Sequence, residues 1–164
     1  MRDANDMIKL SQRLGGLLLA HQQKLVTAES CTGGWIAQVI TDTPGSSQWF
    51  ERGYVTYSND AKSESLGVNS RTLQHHGAVS KACASEMALG ALQHSHAHIA
   101  IATTGIAGPD GGSEEKPVGT VWFALATISE LKTILHYFDG DRQAIRQQAV
   151  VFALTMLCKQ LEIR

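Results

Sequence analysis

The sequence predicts a layered α/β domain whose sheet contains both parallel and antiparallel strands. Short apolar runs alternate with amphipathic stretches along the chain, which is the pattern of strands joined by crossover helices. Two strand-like runs, 118–126 and 131–137, are separated only by a polar turn, which predicts an antiparallel pair. The length of 164 residues suits one domain, 1–164, with a sizeable core.

The individual elements follow from local patterns taken in chain order. Apolar residues at helical spacing predict the first helix, and the side chains of Asn59, Ser80 and Asp141 are suited to cap later ones. Loops are predicted for "DTPGSSQWF", with a short turn of helix, and for "HHGAVS" with its two histidines. The predicted strands are 24–28, 53–57, 99–103, 118–126 and 131–137, and the predicted helices are 7–19, 35–41, a short segment from Asn59 through Leu66, a segment from Ser80 to about Gln93, and the segment after Asp141.

The composition indicates a globular protein and argues against nucleic-acid and membrane partners. Hydrophobic residues make up 43% of the chain, charged residues 18%, and the formal net charge is −1. No stretch is basic enough to neutralise a run of phosphates, and no apolar run is long enough to cross a bilayer. The N-terminus lacks the pattern of a signal peptide. We therefore expect a cytoplasmic protein.

The cysteines and histidines favour neither a disulfide framework nor a metal site. The three cysteines are widely spaced and form no C-x-x-C pair, which is typical of a reduced protein. The alternating histidines of "HSHAH", 94–98, span a predicted helix end and a predicted strand start, so they need not share a face. We expect no metal.

The first candidate for chemistry is the turn "TAESCTGG", which lies between a predicted strand and a predicted helix. It places two possible nucleophiles, Ser30 and Cys31, side by side. The N–H groups of Thr32, Gly33 and Gly34 would lie at the start of the helix, where they suit an oxyanion or a phosphate. The alternative is an ordinary N-cap serine in a tight turn.

The second candidate is Lys62 in "TYSNDAK", in the first turn of a predicted helix. The positive end of the helix dipole disfavours a cation there, and burial would add to that effect. Both would lower the pKa of Lys62, as a lysine that acts as a general base requires. The alternative is a solvated surface lysine.

A third region combines the glycine-rich loop 103–117 with two arginines. The loop contains four glycines and is costly to order, which favours a role in binding over the alternative of a flexible surface loop. Arg142 lies in the first turn of the last predicted helix, an unusual place for a cation, so it is a candidate anion ligand. Arg146, one turn later, is its rival.

Taken together, several long stretches resemble the C-terminal domain of the competence/damage-inducible CinA family. They are "TAESCTGG", "GSSQWFERGYVTYSNDAK", "HGAVS", "TTGIAGPDGGSEEKPVGTVWFA" and "FDGDRQAIRQQA", found in this order over about residues 5–160. The resemblance implies a three-layer α/β/α domain with a mixed, mostly parallel sheet. It also implies hydrolytic deamidation of nicotinamide mononucleotide in pyridine nucleotide salvage, without a cofactor, by a homodimer or higher homo-oligomer.

The resemblance also assigns roles to residues. It implies that Ser30 is the nucleophile, that Lys62 is its base in a Ser–Lys dyad, and that Tyr57 orients the dyad or donates to it. The backbone N–H groups at 31–34 are implied for the oxyanion hole. The implied substrate contacts are Thr32, Gly33, Gly34, Thr104, Gly105 and Arg142.

Alternatives stay open at this point. The thiol of Cys31 could attack in place of Ser30, because a helix N-terminus would lower its pKa. The start of the helix at Gly33 and Gly34 could hold either the oxyanion or the phosphate of the substrate. The domain could also be a non-catalytic nucleotide-binding or competence accessory module of the same fold.

Overall fold

The computed structural model describes residues 4–163, which form one central sheet with helices on both of its faces. The strands are β1 Leu25–Glu29, β2 Phe50–Val55, β3 Ile99–Gly105, β4 Thr120–Thr127 and β5 Leu131–Tyr137. The helices are α1 Ala4–Ala20, α2 Trp35–Thr41, α3 Asn59–Leu66, α4 Ser70–His76, α5 Lys81–Gln93 and α6 Arg142–Glu162, with a 3₁₀ turn at Ser46–Gln48.

The five strands lie in the order β2-β1-β3-β4-β5. β1 is parallel to both of its neighbours, whereas β4 is antiparallel to β3 and β5, so β4 alone runs against the others. This confirms the mixed, mostly parallel sheet and the antiparallel pair near the C-terminus. Because β1, β2 and β3 are parallel and adjacent, the segments that follow them emerge at the same edge of the sheet.

The two faces of the sheet carry side chains of different size, which sets how close the helices approach. Large residues such as Ile101 and Phe123 face α1, α2 and α6, and alanines such as Ala100 and Ala124 face α3 and α5. Where α3 crosses α5, a β-carbon added at Gly90 would lie 1.8 Å from the carbonyl oxygen of Leu66. The result is the three-layer α/β/α arrangement, with α3 packed directly on α5.

Several predicted boundaries and one predicted cap were wrong. The second strand begins at Phe50 rather than at residue 53, and the third strand continues to Gly105 rather than ending at residue 103. The second strand also ends at Val55 rather than at residue 57, because the next backbone carbonyls accept hydrogen bonds from Lys62. Ser58, not Asn59, caps α3, since its hydroxyl oxygen accepts a hydrogen bond from the N–H of Ala61 at 3.0 Å. β4 starts at Thr120 rather than 118, after a glycine at 119 whose φ is +98°.

A further difference is α4, which occupies part of the segment predicted as a loop and contains both His75 and His76. Asn69 caps this helix by accepting a hydrogen bond from the N–H of Arg71 at 2.9 Å. None of its residues is buried, so it lacks the apolar periodicity by which helices are found in sequences.

No helix within residues 4–163 is long and apolar enough to span a membrane. Over the same range, no group of three or more His, Cys, Asp or Glu side chains could hold a metal ion. In the "HSHAH" segment, Nδ1 of His94 lies 2.8 Å from the carbonyl oxygen of Gly90, and Nδ1 of His98 accepts from the N–H of Lys24. These two imidazoles therefore have separate backbone partners.

Candidate active site

A cavity of about 270 Å³ opens at the edge of the sheet where β1, β2 and β3 end. Its walls come from the turn after β1, the start of α3, the segment before α5, the loop after β3 and the first residue of α6. The side chains discussed below that line it are Ser30, Cys31, Tyr57, Asn59, Lys62, Thr104 and Arg142.

Ser30 is the first residue after β1, and hydrogen bonds fix its backbone on both sides. Its N–H donates to the carbonyl oxygen of Thr103 on β3 at 3.0 Å, and its carbonyl oxygen accepts from the N–H of Gly33 at 3.0 Å. Only 8% of the residue is exposed. The hydroxyl of Ser30 is therefore held at the floor of the cavity by the sheet itself.

Lys62 reaches Ser30 from the first turn of α3. Its Nζ lies 3.0 Å from Ser30 Oγ and donates to the carbonyl oxygens of Thr56 and Tyr57 at 2.9 and 3.3 Å. Only 1% of Lys62 is exposed, and no carboxylate within residues 4–163 forms an ion pair with it. Burial lowers the pKa of Lys62, as the sequence analysis predicts.

Cys31 also lines the cavity, but its thiol is not set up as a nucleophile. Burial raises the pKa of this thiol to about 12, contrary to the expectation that a helix start would lower it. The start of α2 does not offset this effect of burial, because α2 has only seven residues and its first N–H groups already bind a carboxylate. These observations favour Ser30 over Cys31 as the attacking residue.

That carboxylate belongs to Glu29, which the sequence analysis missed. Its Oε1 accepts from the N–H of Ile36 at 2.8 Å and its Oε2 from the N–H of Ala37 at 3.1 Å. The side chain is fully buried. Burial raises the pKa of the Glu29 carboxyl, and hydrogen bonds from Thr32 and from backbone N–H groups oppose that shift. The sequence feature that could have identified Glu29 is an acidic residue at the end of a strand whose other residues are uncharged and buried.

The structure places Thr32, Gly33 and Gly34 beside the cavity rather than on its wall. Thr32 is fully buried, and its hydroxyl lies 2.9 Å from that of Thr103. Gly33 and Gly34 have φ values of +60° and +95° and line a neighbouring depression together with both arginines of α6. Among residues 4–163, Arg142 is the one residue shared between this depression and the cavity that holds Ser30.

Arg142 spans the mouth of the cavity, whereas Arg146 lies behind the serine turn. Arg142 donates to the carbonyl oxygen of Gly108 at 2.7 Å and to the hydroxyl oxygen of Tyr57 at 3.0 Å. Arg146 donates to the carbonyl oxygens of Cys31 and Thr32 at 3.0 and 3.2 Å. Arg146 therefore braces the backbone of the turn, and Arg142 faces the space that a ligand would enter.

Tyr57 takes part in the site in two different ways. Its backbone carbonyl accepts a hydrogen bond from Lys62, while its side chain is 63% exposed and its hydroxyl contacts Arg142. The backbone of Tyr57 thus helps to orient the lysine, and its ring forms part of the rim.

Thr104 and Gly105 form the wall that β3 contributes. Thr104 donates through Oγ1 to the carbonyl oxygen of Ala78 at 2.9 Å, which joins β3 to the segment before α5. A β-carbon at Gly105 would lie 2.7 Å from a methyl group of Val121. Close packing on β4 therefore requires a glycine at this position.

Comparison with known proteins gives one consistent family. The model of the CinA C-terminal domain matches residues 7–161 of the chain. The nicotinamide-nucleotide amidohydrolase PncC of Escherichia coli (strain K12) is 55% identical over 157 residues, which is 95% of the chain and 95% of that protein. A Pseudomonas putida protein of the same name is 51% identical over 145 residues, covering 88% of the chain and 91% of the relative.

Solved structures share the fold. A CinA superfamily protein from Klebsiella pneumoniae 700603 matches with a TM-score of 0.93 at 40% identity, covering 96% of the chain and 99% of that structure. The competence/damage-inducible protein CihA from Agrobacterium tumefaciens matches with a TM-score of 0.91 at 45% identity, covering 96% of both.

Proposed function

The chain belongs to the CinA C-terminal domain family, and we propose that it is an enzyme that hydrolyses the carboxamide of nicotinamide mononucleotide. The products are nicotinate mononucleotide and ammonia, as in pyridine nucleotide salvage. Relatives at 51–55% identity over most of the chain carry the name of this activity. The observation that carries the proposal is the buried Lys62 with its Nζ 3.0 Å from Ser30 Oγ.

The surroundings of Lys62 support its role as the base. In the neutral amine, the two N–H groups can donate to the carbonyl oxygens of Thr56 and Tyr57, both of which lie within hydrogen-bond distance. The lone pair is then left for the hydroxyl of Ser30. Burial favours this neutral form over the charged one. Lys62 can therefore take the proton of Ser30 as its oxygen attacks.

The proposed reaction runs through an acyl-enzyme. Ser30 Oγ attacks the carboxamide carbon while Lys62 takes the hydroxyl proton, giving a tetrahedral intermediate with a negative oxygen. The C–N bond breaks as the ammonium of Lys62 returns a proton to the leaving nitrogen, which departs as ammonia. Water then attacks the ester carbon while Lys62 takes one of its protons, and Lys62 returns that proton to Ser30 Oγ as the bond between this oxygen and the acyl carbon breaks. The acid that is released ionises in water to the nicotinate carboxylate.

We assign the oxyanion hole to the backbone N–H of Cys31, which lines the cavity beside Ser30. Within residues 4–163, no oxygen atom accepts a hydrogen bond from this N–H group. The N–H of Gly33, by contrast, already donates to Ser30. An N–H of the residue that follows the nucleophile is suitably placed for the oxygen of a tetrahedral intermediate.

We assign the phosphate of the substrate to Arg142. The start of α2 is unsuitable for it, because the carboxylate of Glu29 already accepts from the N–H groups there and would repel a second anion. Arg142 lies at the mouth of the cavity, and its planar guanidinium matches phosphate oxygens. This assigns the oxyanion to the serine turn and the phosphate to α6.

The proposed function is tested by incubating the purified protein with nicotinamide mononucleotide and following ammonia and nicotinate mononucleotide. We expect both products in equal amounts, and their loss in Ser30→Ala. If the folded protein binds the nucleotide but releases no ammonia between pH 6 and 9, the proposed function is wrong and the protein is a non-catalytic binding module.

We also propose that the protein is a homodimer or a higher homo-oligomer, as the family resemblance implies. β5 is an edge strand of the sheet, and its terminal residues Leu131 and Tyr137 are exposed apolar side chains. Unpaired strand edges with apolar ends favour contact with another chain. Light scattering on a sizing column measures the mass directly, and a monomer of 17.7 kDa would contradict this.

A further inference from the structure

We propose that Glu29 is a positioning residue for the reaction. Its side chain joins β1 to α2 and thereby fixes the turn between them, which carries Ser30. The inference rests on the proposed function only in naming Ser30 as the nucleophile. Glu29 has no contact with the cavity and both of its carboxylate oxygens are engaged, so it is not itself a base.

The main chain of Glu29 is fixed in the centre of the sheet. As the last residue of β1 it pairs with Thr103 on one side and with Val55 on the other. Its carbonyl oxygen also accepts from the N–H of Thr56 at 2.9 Å. The carbonyl oxygen of Thr56 accepts in turn from the amine of Lys62. Thr56 therefore connects the backbone of Glu29 to the amine of the dyad through two hydrogen bonds.

The side chain of Glu29 reaches across the turn to its far end. Residues 30–34 include Ser30 and two glycines with positive φ, which by themselves hold a turn only weakly. The carboxylate binds the N–H groups of Ile36 and Ala37 beyond that turn. Glu29 therefore holds the start of the turn through its backbone and the end of the turn through its side chain. Without it, the buried N–H of Ile36 would lose its partner.

The geometric consequence concerns the distance between Ser30 Oγ and Lys62 Nζ. The lysine side is held by α3 and two carbonyls, so any relaxation of the turn after β1 moves the hydroxyl relative to a fixed amine. A displacement of about 1 Å in a reacting group can lower a rate by about 10²-fold. Loss of Glu29 should therefore affect the chemical step more than substrate binding.

The test uses Glu29→Ala and Glu29→Gln in the full chain, with Asn69→Ala as the matched control. Asn69 caps α4, which lies outside the site, so its loss destabilises a helix start without touching the serine turn. Three quantities are measured for each variant: kcat and KM for nicotinamide mononucleotide, the rate of Ser30 modification by a small fluorophosphonate, and the melting temperature. Mass spectrometry of the peptide containing Ser30 locates the adduct, and Ser30→Ala gives the background.

For Glu29→Ala we expect kcat and the rate of Ser30 modification to fall together by about 10- to 100-fold, with KM changed less than about threefold. Glu29→Gln should recover part of both rates, because an amide oxygen can accept one of the two hydrogen bonds. Asn69→Ala should lower the melting temperature but keep both rates. If Glu29→Ala does not fold, Glu29→Gln alone decides the question.

A role limited to stability is the result that overturns the inference: a lower melting temperature with unchanged Ser30 modification and unchanged kcat. The fluorophosphonate separates this failure from failure of the proposed function, because it needs no nucleotide. If wild type is modified at Ser30 but does not hydrolyse nicotinamide mononucleotide, the proposed substrate is wrong while the Glu29 result still stands. If wild type hydrolyses the nucleotide and the Glu29 variants do too, only the inference fails.

Discussion

Lys62 Nζ lies 3.0 Å from Ser30 Oγ although 32 residues separate them in the chain. The pair exists because β1 and β2 are adjacent and parallel, so the turn after β1 and the helix after β2 start at the same edge of the sheet. The backbone carbonyls of Thr56 and Tyr57 then hold the amine in place. Sheet order therefore determines the geometry of the proposed dyad.

Replacing Ser30 and Cys31 separately shows which of these two adjacent residues is the nucleophile. Ser30→Ala should lower kcat by at least about 10³-fold, because it removes the attacking oxygen. Cys31→Ala should keep kcat within about tenfold, because a thiol with a pKa of about 12 is ionised in only about one molecule in 10⁴ at pH 8. Steady-state ammonia release measures both. Activity in Ser30→Ala together with inactivity in Cys31→Ala would reverse the assignment.

The pH dependence of the reaction should report the buried amine. Lys62 must be neutral to accept the proton of Ser30, and burial lowers its pKa below the usual value of about 10.4. Below that lowered pKa, kcat/KM should rise about tenfold per pH unit and then level off as the amine becomes fully deprotonated. A flat profile over the range in which circular dichroism shows a folded protein would argue against Lys62 as the base.

A control is needed because two other titrating groups lie near Lys62. Burial raises the pKa of Cys83 to about 11 and that of Cys31 to about 12. The rise of kcat/KM with pH should therefore be the same in Cys31→Ala and Cys83→Ala as in wild type. If this rise disappears in either variant, it reports the ionisation of that thiol and not of the lysine.

Arg142 can be tested through the phosphate of the substrate. A charged hydrogen bond contributes about 1.5–3 kcal/mol, so Arg142→Ala should raise KM for nicotinamide mononucleotide by about 10- to 100-fold. With nicotinamide riboside, which lacks the phosphate, KM should change less than about threefold. Arg71→Ala, at an exposed arginine on α4, controls for the loss of one positive charge. An equal increase in KM for both substrates would show that Arg142 does not bind the phosphate.

Much of this architecture could be predicted from the sequence because its signals are local. The N-caps Ser80 and Asp141 were predicted correctly, and each accepts from an N–H three residues later, at 3.1 and 2.9 Å. Glu29 was missed because its partners lie seven and eight residues away across a turn whose shape depends on the neighbouring strands. The separation of roles between Arg142 and Arg146 was likewise open, since both lie on α6 and only packing shows which of them braces the serine turn.

The crossing of α3 over α5 offers a test of how the fold supports the site. At Gly90 an added β-carbon would lie 1.8 Å from the carbonyl oxygen of Leu66, the last residue of the helix that carries Lys62. Gly90→Ala should therefore push α3 away from α5, cost about 1–3 kcal/mol or more, and move the amine from Ser30. We expect a lower denaturation midpoint and a kcat reduced by at least about tenfold.

Gly16→Ala is the matched control for that substitution. Gly16 also lies within a helix, α1, but nothing stands within 4 Å of the position of its β-carbon. Alanine there should raise stability by about 0.5–1 kcal/mol because it restricts the unfolded chain, and kcat should not change. Urea denaturation followed by circular dichroism gives both free energies of unfolding. A Gly90→Ala protein with wild-type stability and activity would mean that α3 can shift without disturbing the Ser30–Lys62 contact, contrary to the packing argument.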